Sequence, residues 1–308
     1  MGCGTFTSRD WSRYTTSRGY TAKSTVSDMY KSTSVKAAME PVGVTYRESC
    51  DSDEHPNSTP IILGLDVTGS MGNVLETVSK KLNTLITEIY DREPVKDPQI
   101  MIMAFGDVEC DRHPLQVSQF ESDIRIAEQL NDVYFERGGG GNSGESYTLP
   151  WYFAARHTKI DSFEKRGKKG FLFTIGDEPY LNNISKEAIK KFVGDDIQSD
   201  LSADELLTEV SRQYEVYHLM IEEGSGMRCG KWGRDNVITK WTNLLGQRAI
   251  LVSDCTKIPE IIVSILEVSA GKDTRDVVGS WDGSTSVVVS RAIGGLTNID
   301  DSKELVEF

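Results

Sequence analysis

The sequence of 308 residues lacks the marks of several large classes of protein. No apolar run approaches the roughly 20 residues that a membrane helix requires, and the short run at residues 61–65 is typical. The five cysteines are odd in number and scattered without a CxxC pair, so neither a disulfide framework nor a zinc knuckle is indicated. The nucleotide-binding GxxxxGK[ST] and nucleophile GxSxG motifs are absent too. These absences argue against a membrane protein, a zinc protein, a nucleotide hydrolase and a serine hydrolase.

Basic residues are fewer than acidic residues. The chain has 34 Lys and Arg against 47 Asp and Glu, a net charge of −13. This balance argues against an even basic surface for nucleic acid, so we expect neither a nucleic-acid nor a membrane partner. It suits ligands that are cations or basic proteins. Hydrophobic residues make up 38% of the chain, which is enough for a folded core.

The N-terminal region differs in composition from the rest. Residues 1–47 hold 15 Ser or Thr, seven Lys or Arg and three acids, without apolar periodicity. Aromatic residues recur in it, at Phe6, Trp11, Tyr14, Tyr20 and Tyr30. We interpret residues 1–58 as a basic arm ending in a linker at 51–58. Two alternatives stay open, a flexible tail and an arm that docks on the acidic body or on a partner.

The first six residues, ending in Phe6, contain neither a secretory signal nor a myristoylation pattern. Together with the scattered cysteines, which we expect to be reduced thiols, this predicts a cytoplasmic protein. Association with a virion is the alternative.

From residue 59 the sequence alternates between strand and helix patterns. Continuous apolar runs predict buried strands at 61–65, 99–105, 170–175, 215–221 and 248–252. Three- and four-residue apolar spacing predicts helices between them, at 74–89, 124–133, 145–157, 185–193, 203–213, 235–245 and 258–268. The prediction is a doubly wound α/β domain over residues 59–270, with a mostly parallel sheet covered on both faces. A C-terminal extension follows at 271–308, with an expected edge strand at Ser286–Val289 and an acidic tail.

Oxygen-bearing side chains stand at the ends of these predicted strands. Asp66, Thr68 and Ser70 follow the first core strand, and Asp177 follows the strand at 170–175. Ligands of such sheets sit beyond the carboxyl ends of the strands, where these oxygens meet. Mg²⁺ prefers oxygen ligands and retained water. The sequence therefore predicts a Mg²⁺ site, with Mn²⁺ and Ca²⁺ as alternatives.

These residues resemble the metal-ion-dependent adhesion site of the von Willebrand factor A (vWA) domain, in a bacterial or phage form. The family pattern is Asp-x-Ser/Thr-x-Ser after the first strand, a Thr on a later loop and an Asp after the fourth strand, and Asp66, Thr68, Ser70 and Asp177 match it. The resemblance implies that Thr68, Ser70 or both ligate the ion, while the aspartates act largely through water. The chain departs from the pattern at the third loop, where Asn142 or Ser143 would replace the Thr.

The function implied by the resemblance is binding without catalysis. A cation ringed by neutral hydroxyls keeps much of its charge and an open position for an Asp or Glu of a protein partner. Relatives of this kind often act as adaptors beside AAA+ ATPases, so such an ATPase is one expected partner. An alternative is a phage structural or assembly protein with a vestigial metal site. A two-metal hydrolase using Asp66, Asp107 and Asp177 is less favoured, because it needs bridging carboxylates.

Overall fold

A central six-stranded sheet organises the fold. The computed structural model describes residues 4, 6–19, 31–136, 138, 144–229 and 233–296, apart from the side chains at positions 8, 73, 79, 82 and 83. The strands are β1 (Arg47–Ser49), β2 (Thr59–Asp66), β3 (Pro98–Phe105), β4 (Leu115–Val117), β5 (Thr158–Ile160), β6 (Gly170–Gly176), β7 (Asn183–Ile184), β8 (Leu201–Ser202), β9 (Tyr214–Ile221) and β10 (Ala249–Val252). The helices are α1 (Ser8–Arg18), α2 (Gly72–Arg92), α3 (Arg125–Asn131), α4 (Thr148–Arg156), α5 (Asp161–Arg166), α6 (Lys186–Phe192), α7 (Ala203–Val210), α8 (Ser225–Cys229), α9 (Arg234–Leu245), α10 (Ile258–Ser269), α11 (Thr274–Gly279) and α12 (Gly283–Ile293).

The strand order of the central sheet is β10-β9-β6-β2-β3-β4. Each neighbouring pair is parallel except β3 and β4, which are antiparallel. The predicted α/β fold with a mostly parallel, doubly wound sheet is confirmed, and it is consistent with a vWA- or Rossmann-like architecture. Strand β4 (Leu115–Val117) lies at the edge of the sheet and pairs with β3 in the antiparallel direction.

The central strand β2 contains a continuous apolar run because both faces of the sheet are covered. In β2 the side chains of Ile61, Leu63 and Leu65 belong to one hydrophobic cluster, and Ile62 belongs to the other. All four are fully buried. A strand with only one covered face would alternate apolar and polar residues, so the continuous run at 61–65 is explained by its central position.

Helices form a layer on each face of the sheet. On one face, α2 contributes Leu75, Val78, Leu85 and Ile86 to the cluster that also contains α10. Separations of three (75 to 78), seven (78 to 85) and eight (78 to 86) residues are close to whole numbers of helical turns, so these side chains lie on one side of the helix. On the other face, α4, α7 and α9 pack over the second cluster. No helix in the described part of the chain is both long and apolar enough to cross a bilayer.

The strand order reverses between β2 and β6. The chain leaves β2 towards β3 and β4 and then returns to the opposite side of β2 to form β6, β9 and β10. Loops from the two halves diverge at such a point and leave a crevice at the carboxyl ends of the strands. Asp66 ends β2, and Asp177 directly follows β6. The topology thus places the two predicted aspartates at the crevice.

Parts of the predicted N-terminal arm contact the rest of the protein. Phe6 is buried and stacks on Tyr90 of α2, with the ring centroids 5.7 Å apart. The amide of Asn131 donates a hydrogen bond to the Tyr14 hydroxyl of α1, at 2.7 Å. Strand β1, also within the first 58 residues, pairs in parallel with β5. The proposed boundary at residue 58 stays a prediction.

The predicted edge strand at Ser286–Val289 is wrong, because these residues lie in α12. Val289 is fully buried together with Ile293, whereas Val287 is 55% exposed. This spacing is helical. The β-branched valines favour a strand only weakly, and burial of one helix face against the main core outweighs that preference.

Candidate metal centre

Two buried aspartates lie side by side at the crevice. Strands β2 and β6 are parallel neighbours with Leu65 opposite Ile175. One step further along each strand, Asp66 and Gly176 end the two strands, and Asp177 follows. Both aspartate side chains are 0% exposed. The register of the sheet therefore brings together two carboxylates that are 111 positions apart in the chain.

The loop after β2 joins these carboxylates through two hydroxyl groups. The backbone N–H and the Oγ1 hydroxyl of Thr68 donate to Asp66 Oδ1, at 2.9 and 2.6 Å. Ser70 Oγ donates to Asp177 Oδ1 at 2.8 Å, and Thr68 Oγ1 and Ser70 Oγ are 3.1 Å apart. The four residues that the sequence predicts for the first and fourth strand ends thus form one continuous cluster.

The hydroxyl oxygens of Thr68 and Ser70 lie next to each other between the two carboxylates. A hydroxyl has one proton and two lone pairs. Thr68 Oγ1 lies within donating distance of Asp66, and Ser70 Oγ within donating distance of Asp177. The two hydroxyl oxygens are 3.1 Å apart, and either of them can donate to the other. Adjacent ligands of an octahedral Mg²⁺ are about 2.9 Å apart, so the spacing of this pair also suits two ligands of one cation.

The electrostatics of the site also favour a cation. Burial, followed by the neighbouring Asp177 carboxylate, raises the pKa of Asp66 from 3.8 to about 8, although hydrogen bonds from Thr68 and Tyr147 lower it. Burial also raises the pKa of Asp177, against hydrogen bonds from Gly226 and Ser70. Within the described residues, no Lys, Arg or His forms an ion pair with either carboxylate. Two buried carboxylates without a counter-charge are costly, and a divalent cation would remove that cost.

The loop after β9 holds the second carboxylate in place. The N–H of Gly226 donates to Asp177 Oδ2 at 2.7 Å, and Ser225 Oγ donates to the carbonyl oxygen of Ser70 at 2.7 Å. The sequence analysis missed this loop. The sequence did contain a signal for this loop. Strand β9 is the neighbour of β6 in the sheet, and Gly224-Ser225-Gly226 follows the carboxyl end of β9.

Tyr147 holds the first carboxylate from the opposite side. Its hydroxyl donates to Asp66 Oδ2 at 2.9 Å, and its fully buried ring meets Phe105, His218 and Trp241 edge-on, with centroids 4.9 to 5.1 Å apart. Sequence reasoning missed Tyr147 as well. No local signal marks it, because a tyrosine at the start of an apolar helix also suits ordinary packing.

The predicted third-loop residues, Asn142 and Ser143, lie outside the described residues. The loop comes close to the site before and after them. The N–H of Gly69 donates to the carbonyl oxygen of Gly138 at 2.8 Å. Glu145 is buried, and burial, followed by the charges of Asp66 and Glu178, raises its pKa to about 11. Burial therefore favours the protonated, neutral form of Glu145.

Asp107, at the end of β3, caps a turn. Its Oδ1 accepts the N–H of Glu109 at 2.9 Å, and its own N–H donates to Asp111 Oδ2 at 2.7 Å. These hydrogen bonds place Asp107 in the turn that follows β3. Across the described chain, no three His, Cys, Asp or Glu side chains gather as a metal-binding group. A metal site here would depend on the hydroxyls of Thr68 and Ser70 beside the two aspartates.

Adding a methyl group at Gly224 is expected to damage the site. A Cβ atom at this position would overlap Cβ and Oδ2 of Asp177. We expect Gly224→Ala to lower the free energy of unfolding by about 1 to 3 kcal/mol, measured by urea denaturation. Gly279→Ala is the control, because its Cβ would enter open space, and its stability should stay within about 1 kcal/mol of the parent protein. Equal stability of both variants would contradict the tight contact at Asp177.

Comparisons with known proteins do not identify a family. No family model matches the sequence, and no curated protein matches it either. Solved structures to which the chain is similar include the pilus adhesin SpaC from Lactobacillus rhamnosus GG in its open conformation, with 9% identity and a TM-score of 0.44. That superposition covers 75% of this chain and 31% of the adhesin.

Two further solved structures also match the chain. Proximal thread matrix protein 1 from the mussel byssus has 12% identity and a TM-score of 0.44, over 70% of this chain and 46% of that one. The conserved hypothetical protein BatB from Bacteroides thetaiotaomicron has 14% identity and a TM-score of 0.32, over 53% and 66%. The chain thus spans less than half the length of the adhesin and of the mussel protein. The fold class rests on the strand order described above.

Proposed function

We propose that this protein is a vWA-like, metal-dependent protein-binding module that acts without catalysis. Mg²⁺ would be held by Thr68 and Ser70, with Asp66 and Asp177 behind them. The observation that carries the proposal is the pair of hydroxyl oxygens, 3.1 Å apart, that face each other between two buried carboxylates. This arrangement offers oxygen lone pairs and net negative charge in one small volume, and hard divalent cations bind such sites.

The site is open to solvent on the side where a partner would bind. Gly69 is exposed and Ser70 is half-buried, whereas Asp66, Thr68 and Asp177 are buried. A bound Mg²⁺ supplies a positive charge that attracts an anionic oxygen from outside. Asp66 and Asp177 orient the two hydroxyls, and Gly226 and Tyr147 hold the aspartates from either side.

An acidic side chain is the partner group that suits this charge. The two buried aspartates counter the charge of the ion from inside the protein, and one further carboxylate from a partner would complete its surroundings. A small oxygen set with hydroxyl ligands favours Mg²⁺ over Ca²⁺, which takes six to eight oxygens. A two-ion hydrolase would need carboxylates that bridge its ions, and a loop that offers the hydroxyl groups of Thr68 and Ser70 suits that chemistry poorly. An AAA+ ATPase is the partner class suggested by the sequence resemblance alone.

Magnesium titration tests the metal site. We expect Mg²⁺ at ten times its dissociation constant to stabilise the protein by about 1.4 kcal/mol, followed by thermal denaturation and calorimetry. Ser70→Ala removes one hydroxyl oxygen and is expected to abolish this gain. Ser284→Ala is the control, since Ser284 is exposed and lies on α12. Absence of any Mg²⁺ effect on the parent protein at millimolar concentration would refute the metal site.

A second measurement tests the partner chemistry. A peptide with one aspartate at its centre is titrated onto the Mg²⁺-loaded protein, beside the same peptide with asparagine there. We expect binding of the aspartate peptide alone and its loss with EDTA or in Ser70→Ala. If the Mg²⁺-loaded protein binds both peptides equally, the site does not recognise carboxylates.

A further inference from the structure

A cavity lies near the amino ends of β2 and β6, whereas the candidate metal centre lies at their carboxyl ends. It has a volume of about 680 Å³, and Thr59, the first residue of β2, lines it. Asp66 stands at the other end of the same strand, roughly 20 Å away at 3.3 Å per residue. The volume lies within the range of ligand-binding clefts, about 300 to 1,000 Å³. The cavity is therefore a separate place on the molecule, large enough for a small organic ligand.

The polar side of this cavity is basic, although the whole chain is acidic. Its charged lining consists of four cations and one carboxylate, namely Lys96, Arg166, Lys168, Lys169 and Glu93. Arg166 pairs with Asp51, and Lys169 lies 3.3 Å from Glu215. Among the described residues, no carboxylate lies within 4 Å of the ammonium groups of Lys96 and Lys168. Two lysines thus keep their charge available to a ligand.

A buried hydroxyl group adds a second and independent sign of a ligand. Ser162, on α5, lines the cavity and is 3% exposed. Its Oγ atom has no hydrogen-bond partner within the described structure. A buried hydroxyl without a partner costs about 1 to 3 kcal/mol. An acceptor atom of a bound molecule would satisfy it.

The backbone that carries Lys96 is held in an uncommon conformation. Glu93 and Asp97 are the two residues other than glycine with positive φ in the described chain, at 47° and 41°. The carbonyl oxygen of Asp97 accepts the N–H of Thr59 at 3.0 Å, and its side chain accepts the N–H of Asn57 at 2.8 Å. Such conformations persist where surrounding contacts enforce them, and they cluster at binding sites. The loop therefore places Lys96 at the cavity with little freedom of its backbone.

We propose that this cavity binds a phosphate monoester carried on an apolar body. The lysine ammonium groups and the Ser162 hydroxyl are donors, which match the acceptor oxygens of a phosphate. The rest of the lining includes the apolar residues Pro94, Val95, Phe171 and Ala270. It would cover a ring or a short hydrocarbon group. The site is independent of the metal centre and uses none of its residues.

Phenyl phosphate is the probe for this proposal. Inorganic phosphate and phenol are the comparison ligands, because each represents one half of the probe. By calorimetry on the full-length protein we expect saturable binding of phenyl phosphate, weaker binding of inorganic phosphate and none of phenol. Replacing both lysines, in Lys96→Ala/Lys168→Ala, should weaken phenyl phosphate binding at least about tenfold, since each loses a charged hydrogen bond. Ser162→Ala should weaken it by roughly threefold to tenfold.

Lys186→Ala is the matched control, because Lys186 is an exposed lysine on α6 away from the cavity, and it should bind phenyl phosphate like the parent protein. Thermal denaturation without ligand checks that the variants fold. The proposal is overturned if the parent protein shows no saturable binding up to about 10 mM. It is also overturned if the double lysine variant binds as tightly as Lys186→Ala. Neither result depends on Mg²⁺, so a failure here leaves the proposed metal site untouched.

Discussion

Asp66→Asn is expected to weaken Mg²⁺ binding by on the order of 100-fold while the metal-free protein stays folded. Asparagine has nearly the same shape and can still accept the hydrogen bonds from Thr68 that Asp66 Oδ1 receives. The variant loses the negative charge behind the hydroxyl ligands, and loss of such supporting groups typically costs 10- to 100-fold in metal affinity. Calorimetric titration with Mg²⁺ measures the change.

The same variant is expected to change how stability depends on pH. A carboxyl group with a raised pKa keeps its proton in the folded protein at pH values where the unfolded chain has lost it, so it favours the folded state at low pH. Without metal, this advantage declines as the pH rises from about 4, the usual aspartate value, to about 8, the pKa of Asp66. Asp66→Asn should therefore flatten this decline by on the order of a few kcal/mol, as measured by urea denaturation at several pH values.

Asp53→Asn is the control for both measurements, because Asp53 is exposed and precedes β2, whereas Asp66 stands at the far end of that strand. It should resemble the parent protein in Mg²⁺ affinity and in the pH dependence of stability. An unchanged Mg²⁺ affinity in Asp66→Asn would show that any bound ion sits elsewhere. A parent protein whose stability does not fall between pH 4 and 8 would contradict the buried, uncompensated carboxyl pair.

Trp241→Ala is expected to cause a large loss of stability, about 3 to 5 kcal/mol. The side chain is fully buried and stacks on His218 with centroids 3.6 Å apart. It also meets Tyr147 and Trp151 edge-on. Its Nε1–H donates to the carbonyl oxygen of Glu178 at 3.0 Å, next to Asp177. Removing the indole leaves a cavity among these rings, and urea denaturation measures its cost.

Two further variants make this test specific. Trp241→Phe keeps a ring but loses the hydrogen bond to Glu178, so it should cost less than the alanine variant. Tyr46→Ala removes an aromatic side chain that is 44% exposed and should change stability by less than about 1 kcal/mol. If Trp241→Ala and Tyr46→Ala lose similar amounts, the ring cluster around Tyr147 does not support the core as described.

Most of the fold could be predicted because its strands are simple signals. A continuous apolar run such as residues 61–65 has one good explanation, a central strand covered on both faces. The failure at Ser286–Val289 has a physical cause as well. A run of valines is compatible with both a strand and a helix, and the choice depends on which neighbours are present to bury Val289 and Ile293.

The candidate site was predictable to the extent that it depends on strand order. The carboxyl ends of neighbouring parallel strands meet at one edge, so Asp66 and Asp177 could be paired from the sequence. Gly226 and Tyr147 could not be paired in the same way. The first contributes a backbone N–H, which every residue except proline has. The second lies directly before α4 and does not follow any strand of the sheet. Such contributions depend on the path of the chain.

The lengths of the strands have a consequence for how the protein avoids self-association. The two outer strands of the sheet, β4 and β10, have three and four residues, whereas the four inner strands have seven or eight. An exposed strand edge can recruit a strand from another molecule and start aggregation, and short edges offer few free backbone groups for this. The long, strongly apolar inner strands are paired with a neighbouring strand on both sides. These segments, which are the most prone to aggregate, can therefore pair with another molecule only when the sheet unfolds.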